Sequence, residues 1–60
     1  MRQNHSEEKR KDVFLALVQL QDKGRSVDLS REIIAANFGV EVGDVKEIER
    51  EGIRMRWPPL

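Results

Sequence analysis

The stretch REIIAANFGVEVGDVKEIER, Arg31 to Arg50, holds an alanine and a glycine at places where side-chain size dictates the path of the chain. Two helices that cross closely at a steep angle need a small residue on the first of them, and Ala35 sits there. The turn between them needs a residue that tolerates positive φ, and Gly39 follows four positions later. Apolar residues must then fill the wedge, and Ile34, Phe38, Val40, Val45 and Ile48 are spaced to do so. Counted from Arg31, the alanine is fifth and the glycine ninth, with apolar residues tenth, fifteenth and eighteenth. This spacing predicts two helices joined by a tight turn.

Upstream, a further periodic segment runs to Gly24, a glycine suited to end a helix. Asn4 with Glu7 three residues on, or Ser6 itself, are candidates to cap its start. Val13, Leu17 and Leu20 form one stripe, Phe14 and Val18 a second beside it, and Leu15 points elsewhere. After Gly24-Arg25-Ser26, Asp28 is the expected N-cap of the second helix, with Leu29, Ile33, Ile34 and Phe38 as its buried stripe. The third helix is expected to turn Val45, Ile48 and Gly52 or Met55 inward. Pro58 and Pro59 exclude helix from the tail, and Trp57 before a proline is biased towards extended backbone. No run alternates apolar and polar residues as a strand does. The expected fold is therefore all-α: one three-helix helix-turn-helix domain over residues 1–60, with helices near 6–23, 29–38 and 44–55 and an extended proline-containing tail over 56–60.

A chain of 60 residues supports one small, marginally stabilised core. The absence of cysteine removes disulfides and thiolate metal sites, and fits a reducing compartment. The longest apolar run, Val13 to Val18, falls far short of the roughly 20 residues that span a bilayer. The opening MRQNHSEEKRKD is too acidic and polar for a secretory leader, so a soluble cytoplasmic protein without membrane contact is expected. Eleven basic and eleven acidic side chains cancel, which removes the overall basic excess that usually accompanies phosphate binding. Only the distribution of charge leaves that function open.

From Asp28 to Arg56 the segment DLSREIIAANFGVEVGDVKEIEREGIRMR resembles the last helix-turn-helix of bacterial sigma factors, the region-four module that grips the upstream promoter element. The matching features are Glu32 in the first helix, Phe38-Gly39-Val40 at the turn, Ile48-Glu49 in the second helix and a basic end at Arg54 and Arg56. The resemblance covers about half the chain. It implies transcription regulation by DNA contact, with Lys46 and Arg50 at backbone-facing positions. The family's base-reading set is absent: Glu41 stands at the threonine cap, and Val42, Gly43, Asp44 and Glu47 occupy the reading positions.

With about 100° per residue, a third helix that buries Val45, Ile48, Gly52 and Met55 turns Arg50 outward, with Lys46 and Arg54 one turn either way. Asp44, Glu49 and Glu51 fall on the flanks and Glu47 near the outward ridge. Phosphate contact through Lys46, Arg50 and Arg54 is one reading, with Ser30 and Arg31 assisting at the start of the second helix and Glu47 accepting from a cytosine amino group. The other reading is a solvated face with pairs one turn apart. Arg2 with Lys9-Arg10-Lys11 forms a second basic cluster, either a solvated helix start or an arm along DNA.

VFLALVQL leaves little polar surface on the first helix, so Phe14, Leu15 and Val18, with Trp57 and Leu60 of the tail, are candidates for a protein interface. The tail folding back over the first helix is the alternative. Either a protein partner or a homodimer fits such a surface, and a dimer would double the phosphate contacts. His5 is the lone histidine, no serine has a base partner, and Gly39 to Gly43 lacks the lysine and hydroxyl of a phosphate cradle. The expectation is a non-enzyme without metal, cofactor or small-molecule substrate.

Overall fold

A computed structural model describes residues 5–60. Three helices, α1 (Glu7–Asp22), α2 (Val27–Phe38) and α3 (Val42–Met55), each pack on the other two, and no strand occurs among the described residues. The core is Val13, Phe14 and Leu17 of α1, Ile34 and Ala35 of α2, Val45 and Ile48 of α3, and Trp57. Ala16, Val18, Leu20, Phe38 and Val40 pack around it, half-buried.

Both of the first two helices start on a serine. Ser6 Oγ accepts from the Lys9 N–H at 3.1 Å, and Ser26 Oγ from the Leu29 N–H at 3.2 Å. The alternative cap Asn4, like Arg2 of the basic cluster, lies outside the described residues. Ser26 corrects the expectation of Asp28 as N-cap. The serine hydroxyl starts α2 half a turn earlier, and Asp28 becomes a first-turn acid, favourable beside the exposed N–H groups.

The buried face of α2 also differs from expectation. Ile34 is buried and Phe38 half-buried, but Leu29 is 43% exposed, while Ser30 and Ala35 lie inside. A face centred on Ile34 admits Ser30 and Ala35 on its two sides and turns Leu29 outward. Apolar spacing misleads here because the polar Ser30 takes a place on the buried face while the apolar Leu29 stays outside it.

α2 ends at Gly39, in the left-handed conformation at φ 67°, and the next two residues carry the chain into α3. α3 ends at Arg56, left-handed at φ 55°. The Trp57 N–H then donates to Gly52 O at 2.9 Å, and the Leu60 N–H to Trp57 O at 2.9 Å. The expected extended tail is thus a turn. It is bent by the helix cap and held by Trp57, whose ring meets Phe14 edge-on with centroids 6.1 Å apart. Gly52 makes this possible: a Cβ there would overlap atoms of the Phe14 ring. Met55, the alternative inward residue, is exposed.

Candidate nucleic-acid interface

The acids of α3 are distributed unequally. Asp44, Glu49 and Glu51 all point to cations or polar groups on other segments. Glu51 takes a bidentate fork from Arg10, with Nε at 2.7 Å and the second donor at 3.0 Å. Arg10 also donates to His5 O at 2.6 Å, and its guanidinium carbon lies 5.9 Å from the centre of the Trp57 ring. The hydrogen bond to Glu51 raises the Arg10 pKa above its ordinary value, against the opposing effect of partial burial. The guanidinium therefore stays charged throughout the accessible range.

On the other flank, Arg31 of α2 places Nε 2.9 Å and a terminal nitrogen 2.8 Å from Glu49 Oε1, with its remaining nitrogen 3.8 Å from Asp28. Asp44 lies 3.4 Å from His5 Nε2 and is nearly buried. These partners are 18 to 41 residues apart in sequence, so no local spacing announces them.

Lys46, Glu47, Arg50 and Arg54 remain on the outward ridge, all exposed, and none forms an ion pair among the described residues. From Lys46 to Arg54 the helix rises about 12 Å, at 1.5 Å per residue. Gly43, on the same ridge a turn earlier, is exposed with open space around it.

The other expected contacts fare differently. Ser30 is fully buried, and its Oγ has no hydrogen-bond partner, so its hydroxyl does not reach a phosphate. Arg31 is half-buried and turned onto Glu49. Phe14 and Trp57 lie in the core rather than on an interface, because α1 turns Phe14 onto Gly52 and the cap of α3 folds Trp57 over it. Val18 is half-buried, and Leu15 and Leu60 are 37% and 61% exposed. The basic cluster is not uniformly solvated either. Arg10 is tied to Glu51, and Lys11 lies 3.4 Å from Glu7 and 5.9 Å from the centre of the Trp57 ring.

Among the described residues no group of three or more histidine or acidic side chains is placed to hold a metal ion. No helix among them is long and apolar enough to cross a membrane. No family model matches the chain, nor does any curated protein or solved structure.

Proposed function

We propose that this chain is a small helix-turn-helix module of transcription regulation. It contacts duplex DNA mainly through phosphates and works as a dimer or as a subunit of a larger assembly. The observation that carries the reading is the sorting of charge on α3. Three of its acids face other segments, and on the outward ridge Lys46, Arg50 and Arg54 form no ion pair among the described residues, with Glu47 the one acid beside them. A chain with no net charge thereby presents one cationic ridge.

Its length suits the target. The major groove, about 12 Å wide, admits a helix, and three cations spread over a rise of about 12 Å along α3 suit contact with the phosphates that border it. The tight turn at Gly39 and the small Ala35 in the core support the helix-turn-helix geometry. The resemblance to sigma-factor region four points the same way. Phosphate contacts position a protein without reading sequence, and the apolar and acidic residues Val42, Asp44 and Glu47 do not replace the family's base readers. Generic duplex affinity is therefore the property to expect. The alternative, a protein-interaction module docking through α1 or the tail, loses its two aromatic anchors to the core and keeps Leu15, Val18 and Leu60.

Fluorescence anisotropy on a random-sequence duplex tests the reading. Affinity is expected to fall steeply between about 50 and 200 mM salt, as counterion release requires. Replacing Lys46, Arg50 and Arg54 together by alanine should flatten the slope of log affinity against log salt by about 2.7, or 0.9 per lost contact. Absence of duplex binding at low salt, or an unchanged slope in the triple variant, overturns the proposal.

A further inference from the structure

The Arg31–Glu49 pair lies at the edge of the cationic ridge, and its geometry is unlike that of a phosphate ligand waiting for its target. Two nitrogens of the guanidinium converge on one oxygen of Glu49, at 2.9 and 2.8 Å, and the third faces Asp28 at 3.8 Å. Both side chains of the principal pair are about four-fifths covered, with 23% of Arg31 and 17% of Glu49 exposed. Glu49 immediately precedes Arg50 in α3, so a carboxylate left unpaired there adds its charge beside the ridge. At roughly 10 Å, the screening length at 0.1 M salt, such a charge is still felt by an approaching phosphate.

We infer that Arg31 is a positioning residue that masks Glu49, so that DNA affinity depends on an arginine that does not touch DNA. This rests on the DNA-contact reading above. It assigns Arg31 a role different from the phosphate contact its place on α2 suggests, and it makes Glu49 the other half of the device. The mask works in both directions: Glu49 without Arg31 opposes the phosphates, and Arg31 without Glu49 adds a cation to the surface.

The distinguishing experiment is a double-mutant cycle in duplex affinity at low salt, using changes that remove the charge of each partner in turn. Arg31→Met is expected to weaken binding by about twofold to fivefold, the scale of one exposed charge interaction. Glu49→Gln is expected to strengthen it by a similar factor. The double variant should return to within about twofold of the parent, and the differences should shrink as salt rises. Thermal melts of all four proteins establish that each is folded at the assay temperature.

A direct phosphate contact by Arg31 gives another pattern: the double variant stays as weak as Arg31→Met. A merely structural pair gives a third, in which both single changes weaken binding. Either result overturns the mask while leaving duplex binding by the parent intact. Absence of parent binding at low salt overturns the mask together with the reading on which it rests.

Discussion

The C-terminal ends of α2 and α3 share one backbone plan and differ in where the glycine stands. At the end of α2, Gly39 adopts φ 67° and ψ 35°, and the Val40 N–H returns to Ala35 O at 3.0 Å. At the end of α3, Arg56 adopts φ 55° and ψ 47°, and the Trp57 N–H returns to Gly52 O at 2.9 Å. Each is a left-handed residue followed by a hydrogen bond back to the last full turn. The first end puts glycine where the backbone needs it. The second puts an arginine in that strained position and keeps its glycine four residues earlier, under the Phe14 ring.

The two ends show glycine meeting two separate demands. A non-glycine residue in the left-handed region costs roughly 1–2 kcal/mol. An overpacked core costs about 1–3 kcal/mol and sometimes more. Where a tryptophan must dock, the glycine serves packing and the cap carries the strain. Where the following residue is only a half-buried valine, the glycine serves the turn.

The largest way to break this comparison is Gly52→Ala. The new methyl group collides with ring atoms of Phe14, and a loss of about 3 kcal/mol is expected, severe for so small a domain. Urea unfolding followed by the fluorescence of Trp57, the single tryptophan, measures it. A loss below about 1 kcal/mol, with emission unchanged, would mean the ring does not depend on that gap. A smaller loss is expected for Gly39→Ala. Nothing lies within 4 Å of a Cβ there, so the cost is the left-handed backbone alone, about 1–2 kcal/mol. Equal losses at the two glycines would erase the distinction drawn between them.

Arg56→Gly sharpens the contrast with the opposite sign. It relieves strain and should stabilise the fold by up to about 1 kcal/mol, since added freedom in the unfolded chain offsets part of the gain. In a domain of this size that raises the melting temperature by several degrees, to a limit of about 8 °C. A lower melting temperature would show that the Arg56 side chain makes a favourable interaction outweighing its backbone strain.

Local rules were enough for much of this architecture. The helix count, the stops at Gly24 and Gly39, the inward Val45 and Ile48, and the outward place of Lys46, Arg50 and Arg54 all follow from helical period and glycine conformation, while the period left Gly52 and Met55 as alternatives. These properties belong to a single turn of chain or to one helix, so a linear string contains them. The placement of Asp44, Glu49 and Glu51 on the flanks of α3 was legible in the same way.

What those flanks meet was decided only by tertiary structure. Arg10 reaches Glu51 across 41 positions and Arg31 reaches Glu49 across 18, distances in sequence at which periodicity carries no information. The burial of Ser30 and the exposure of Leu29 have the same origin, whereas the docking of Trp57 on Phe14 is the fold-back of the tail over the first helix that the sequence offered as an alternative to an interface. Each depends on which face of a helix its neighbours cover, and no single stretch of sequence contains that. A cation on one helix is free or engaged according to what its neighbour carries, and α3 owes its open ridge to arginines on α1 and α2.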